Sequence, residues 1–149
     1  MTATPLGQLP RAPRRRLAVV SCMDGRVNVE NVLGLALGDA HVIRNAGGIV
    51  TDDVIRSLAI SQRALGTVSI MLVQHSDCAM TRISDAEFTA AVVADRGHHP
   101  PWTVGAFSDV DASVRESLRR LSTSPFLSDV DDIRGFVYDL TTGALREIA

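Results

Sequence analysis

Lysine is absent from this chain of 149 residues, and all fifteen of its cations are arginines. That excludes Schiff-base chemistry and the lysine of a phosphate-binding P-loop. Cysteine is scarce: only Cys22 and Cys78 occur, too few for the disulfide framework of a small secreted domain. The two thiols must be core residues, a redox pair or metal ligands. No apolar run approaches the length of a membrane span; the best, Val68–Val73, is short and contains Ser69. The first sixteen residues hold no apolar stretch of the kind a secretory signal needs, so the expected location is cytoplasmic. Positive charge is not in excess either. Net charge is −2 and the pI is near 6.0, which disfavours a dedicated nucleic-acid binder. Neither nucleic acid nor membrane is expected as a partner.

What is present suits one globular domain with a real core: 46% of residues are apolar and 21% charged. Residues 1–16 are expected to form a flexible arm. Pro5, Pro10 and Pro13 interrupt regular structure there, beside Arg11, Arg14, Arg15 and Arg16. Residues 17–149 are expected to form a single domain. Leu17–Ser21 reads as a strand buried on both faces. Asn28 is placed to cap a helix from Val29 to about Leu37, stopped by Gly38. A second apolar run, Ala40–Ile43, leads into the turn Arg44-Asn45-Ala46-Gly47-Gly48. Thr51 or Asp52 caps a helix that Gly66 closes after Leu65, and Val68–Val73 reads as a third strand. Short links between these elements imply a parallel sheet with right-handed crossovers. Beyond it, helices are expected over about Ala86–Ala94 and from Asp109 or Asp111, with Val114, Leu118 and Leu121 inward. A fourth strand, Gly135–Leu140, turns at Thr141-Thr142-Gly143 into Ala144–Ile148. The expected fold class is α/β: a three-layer α-β-α domain whose mostly parallel four-stranded central sheet carries an antiparallel edge strand.

The chemistry-bearing residues cluster at one edge of that sheet. Cys22 ends the first strand and Cys78 follows the end of the third. In open parallel sheets, ligands bind beyond the carboxyl ends of the strands. Neighbouring strands bring the two sulfurs together. His75 lies three residues before Cys78, so one turn of backbone would aim both inward. Two thiolates and an imidazole suit zinc. Asp24 and Arg26 follow Cys22 at alternate positions, and in an extended segment all three would face one space. Arginine can grip a carboxylate with two hydrogen bonds and hold it ionised. A dithiol redox pair is the rival, though the cysteines form no C-x-x-C motif. His41, His98 and His99 read as structural or solvated. The Arg44–Gly48 turn matches neither Walker A nor G-x-G-x-x-G; its expected job is to let backbone approach the metal site.

Three separated segments, in this order, resemble the signature segments of the β-class carbonic anhydrases: Cys22-Met23-Asp24-Gly25-Arg26, His41-Val42-Ile43-Arg44-Asn45-Ala46-Gly47-Gly48 and His75-Ser76-Asp77-Cys78-Ala79-Met80. Thr51–Leu58 and the short length resemble the compact bacterial and archaeal members. The likeness runs from about residue 17 to the end and includes Arg134–Asp139. It implies one zinc ion per subunit, held by Cys22, His75 and Cys78, with Asp24 and Arg26 as a catalytic dyad. It implies reversible hydration of carbon dioxide to bicarbonate by hydroxide held on zinc, in a homodimer or higher homo-oligomer. Asp24 could instead take the fourth zinc position in a closed, inactive state. Carbon dioxide is small and apolar, so a narrow apolar pocket is expected, with Ala46, Gly47, Gly48, Ile49 and Met80 as its lining. Ala79 departs from the glycine usual in the family, and Ser76 stands where threonine is common. A glutamine that larger members place near the substrate has no counterpart assigned here. Two alternatives remain open: a carbonyl sulfide or carbon disulfide hydrolase on the same zinc site, and a non-catalytic zinc-stabilised interaction module.

Overall fold

The computed structural model describes residues 5–128 and 132–149. The elements run β1 (Leu17–Cys22), α1 (Val29–Leu33), β2 (Ala40–Asn45), α2 (Asp52–Leu65), β3 (Ser69–His75), α3 (Asp85–Arg96), α4 (Val110–Thr123), β4 (Asp132–Tyr138) and β5 (Leu145–Ile148). They build a five-stranded sheet in the order β2-β1-β3-β4-β5. The first four strands are parallel, and β5 joins β4 antiparallel at the edge.

Every residue of β1 is buried, as its unbroken apolar run demands of a central parallel strand. Alternate side chains feed two cores. Ala18 and Val20 pack with Ile70 and Leu72 against Val54 and Leu58 of α2 and Leu121 of α4. Leu17, Val19 and Val73 pack against Val27 and Val29 on the opposite face. The three-layer architecture expected from the sequence is the one observed.

Local chemistry sets the element ends. The Thr51 side chain accepts from the Val54 N–H, and Gly66 ends α2 in the left-handed region. The short helix α1 corrects an expectation. It stops at Leu33 rather than near Leu37, because Gly34 takes φ 64 and caps it; Leu37 is exposed. Strand β3 continues past Val73 through Gln74 and His75, which pair with Val137 and Tyr138 of β4. Those polar residues look like the end of a strand in sequence; pairing with β4 keeps them in it, beyond the last residue of β3 that pairs with β1.

The end of the N-terminal arm is fastened. The backbone N–H groups of Arg14 and Arg15 donate to the Gly38 and Asp39 carbonyls, and both side chains bind the Asp39 carboxylate. The first four residues of the expected arm lie outside the described residues.

Candidate metal centre

Cys22 closes β1 and His75 closes β3, so adjacent parallel strands deliver them to one edge. Cys78 reaches them through a tight turn in which Asp77 takes φ 53. The expected single helical turn from His75 to Cys78 is therefore replaced by a strand end and a left-handed residue. All three side chains are buried, and their ligand atoms lie within 4.8 Å of one another. The two sulfurs are 4.0 Å apart. His75 Nδ1 lies 2.7 Å from the Ser76 carbonyl. That oxygen can only accept, so Nδ1 carries the proton and Nε2 presents a lone pair. Nε2 is buried with no hydrogen-bond partner. A buried nitrogen with an unused lone pair, within 4.8 Å of two cysteine sulfurs, completes a donor set that suits a zinc ion.

The charges make the same demand. Burial works to raise the Cys22 thiol, but the neighbouring His75 and the backbone N–H groups of Asp24 and Gly47 outweigh it and bring it to about 7. Burial, with Cys22 close by, pushes Cys78 up to about 11. Without a cation the pocket stabilises one thiolate; a dication lets the second ionise. At pH 8, with Cys22 near 7 and Cys78 near 11, zinc loading should release about one proton per chain from the thiols, rising toward about two below pH 7. Burial opposes charge on His75, but Cys22 beside it raises its pKa overall, which adds to the release on the acid side. Zinc affinity should therefore climb with pH. Calorimetry in buffers of different ionisation enthalpy measures the release, and a value that does not change with pH would contradict this picture.

Beyond Cys22 the backbone does not stay extended. Val27 N–H donates to the Asp24 carbonyl, and Arg26 N–H donates to Asp24 Oδ1 at 2.9 Å. This turn, not strand alternation, brings Asp24 and Arg26 together. Arg26 Nε and Nη2 donate to the two carboxylate oxygens at 3.0 and 2.7 Å. The guanidinium holds the Asp24 carboxyl far below the usual range. Asp24 Oδ2 is 3.7 Å from His75 Nε2, beside the three-residue group but outside it.

Sequence reasoning missed two supports. Arg44 Nε donates to the Cys22 carbonyl at 2.8 Å and its Nη2 to the Asp24 carbonyl at 2.7 Å, so β2 braces the segment that carries both residues. Gln74 is buried beside His75 and donates to the Gly48 carbonyl. The signal for each was a polar residue in or next to a strand of the parallel sheet.

A cavity of about 370 Å³ opens onto Cys22, Asp24 and Cys78. Ala46, Gly47 and Met80 line it as expected, joined by Ile83, Phe88, Trp102 and Val104. Gly48 and Ile49 do not. Gly48 is pressed against the Ser21–Cys22 backbone, and Ile49 faces a larger groove of about 1000 Å³ where α2 and α4 begin. That groove contains none of the three sulfur and nitrogen donors. The Phe88 and Trp102 rings lie 6.4 Å apart; the rarity of aromatic residues was the one hint of their place. His41 Nδ1 is 2.7 Å from Ser61 Oγ, at the opposite end of β2 from the site, and His98 and His99 are exposed.

Fold and donor set together define a zinc protein whose centre lies at the carboxyl edge of a parallel α/β sheet. The profile of the family described as carbonic anhydrase matches residues 17–103. Over 142 residues the chain is 49% identical to beta-carbonic anhydrase 1 of Mycobacterium tuberculosis, covering 95% of this chain and 87% of that one. It is 31% identical over 153 residues to a carbon disulfide hydrolase of Acidithiobacillus thiooxidans, covering 89% and 76%. The crystal structure of a carbonic anhydrase from Streptococcus mutans superposes with a TM-score of 0.87 at 43% identity, covering 100% of this chain and 87% of that one. The chain belongs to the β-class carbonic anhydrase family, and its cofactor is zinc.

Proposed function

We propose that this protein catalyses the reversible hydration of carbon dioxide to bicarbonate. The observation that carries the reading is the composition of the centre. Three protein donors converge, while a fixed carboxylate stands beside them without joining them. A structural zinc site is closed by four protein ligands; three leave a position for solvent, which speaks against the interaction-module reading.

Held by Cys22, His75 and Cys78, zinc supplies Lewis acidity that makes a water molecule nucleophilic near neutral pH. Two thiolates cancel its charge, so this centre should acidify water less than a three-histidine site does. The chain's own groups make up the difference. Asp24 accepts a hydrogen bond from the attacking water and turns its lone pair toward the substrate carbon. Arg26 keeps Asp24 ionised and aimed. Ile83, Phe88, Val104 and Met80 give the cavity apolar walls that suit carbon dioxide and hold bulk water back. Asp24 is engaged by Arg26, which supports the open arrangement over one in which it closes the metal.

The same apolar cavity suits carbon disulfide, and a carbon disulfide hydrolase is among the similar proteins. The higher identity to a carbonic anhydrase favours carbon dioxide. Turnover of carbon dioxide, carbonyl sulfide and carbon disulfide by one zinc-loaded preparation decides between them. Carbon dioxide should be turned over fastest; sulfide release without hydration would overturn the assignment.

A homodimer or larger homo-oligomer belongs to this proposal. Helix α3 buries none of its residues, and Phe88, Val93 and Trp102 stand exposed, an apolar surface that a second copy would cover. So does a cytoplasmic location, which suits two free cysteines whose sulfurs lie so close. Among the described residues, no helix is long and apolar enough to cross a membrane.

A further inference from the structure

Arg26 is gripped from two sides. One edge of its guanidinium faces Asp24. From the other, Nη1 donates to Asp77 Oδ2 and Nη2 to the Asp77 carbonyl, each at 3.0 Å. Asp77 in turn accepts from Arg82 Nη2 at 2.7 Å. Asp77 and Arg16 are the non-glycine residues with positive φ among those described. Such backbone is costly for a side chain to adopt and persists where surrounding contacts enforce it. Here it turns Oδ2 and the carbonyl oxygen of Asp77 onto Arg26, between the ligands His75 and Cys78. The Arg26 side chain is 53% exposed. Held only by Asp24, a long side chain in that setting would retain much of its rotamer freedom.

We propose that Asp77 is a positioning residue for the hydration reaction: it pins the outer edge of the Arg26 guanidinium and thereby fixes the aim of the Asp24 carboxylate. This rests on the carbonic anhydrase reading and on the Asp24–Arg26 pair within it. Asp77 touches no reacting atom, and its effect passes through Arg26 alone. The competing account is a turn residue that only shapes the loop carrying Cys78.

Asp77→Asn and Asp77→Gly separate the two accounts, because both residues tolerate left-handed backbone. Both variants should fold, keep one zinc per chain and lose kcat by about 10-fold with KM little changed. In an Arg26→Ala background, Asp77→Asn should change kcat by less than about 2-fold, the mark of two residues acting as a unit. Full kcat in both variants overturns the proposal. So does an equal loss with and without Arg26, zinc loss from both variants, or failure of both to fold, since each assigns Asp77 to the turn. The parent reading fails separately: Arg26→Ala with normal kcat sinks the dyad and Asp77's part with it. A slow Arg26→Ala beside normal Asp77 variants sinks only Asp77.

Discussion

Asp24→Asn is expected to lower kcat for carbon dioxide hydration by about 10²- to 10⁴-fold, the range that a positioned acid or base contributes. Zinc should remain bound, because Cys22, His75 and Cys78 form the donor set without Asp24. The substitution keeps the size of the side chain and removes its charge. One of the two carboxylate oxygens that accept from Arg26 becomes an NH2 group that can only donate. Arg26 loses its bidentate partner, and the attacking water loses an acceptor of fixed direction. The depressed pKa of Asp24, caused by Arg26, leaves the carboxylate ionised throughout the neutral and mildly acidic range. A limb of the activity profile near neutral pH must then come from another group. Metal analysis with a stopped-flow hydration assay is the measurement; a zinc-loaded variant as fast as the parent would remove Asp24 from the mechanism.

Among the described glycines, Gly48 should tolerate an added methyl group least. A Cβ there would sit 2.8 Å from the Cys22 backbone nitrogen and 2.9 Å from the Ser21 carbonyl carbon, at φ +62. Backbone is the obstacle, so no rotamer change relieves it. Left-handed strain and overpacking together should cost about 3 kcal/mol, or roughly 10 °C in Tm for a domain of this size. The displaced atoms belong to the segment that carries a zinc donor, so zinc affinity should fall with stability. Gly25→Ala is the contrast: a Cβ there meets nothing within 4 Å, and the melting temperature should scarcely move. Equal melting curves and zinc titrations for Gly48→Ala and the parent protein would show that the close approach has no such cost.

Much of the framework could be read along the chain, because its causes are local. Thr51 and Gly66 bound α2 through caps that need only neighbouring backbone. The unbroken apolar run of β1 announced a strand covered on both faces. The identity of the metal followed from which donors the chain owns. The sequence also placed those donors at one sheet edge; how each is held there depends on pairing between distant strands, and there local pattern ran out. Polar Gln74 and His75 belong to β3 because β4 lies alongside. Asp24 meets Arg26 through a turn that strand alternation does not describe. Arg44 braces the Cys22–Asp24 segment only because β2 runs parallel to β1 in one register. Gly48 and Ile49 left the expected pocket, while Phe88 and Trp102 entered it from beyond the third strand. Residue types and caps settle what each segment can become, whereas side-chain convergence across the sheet is a property of long-range packing that no local window contains.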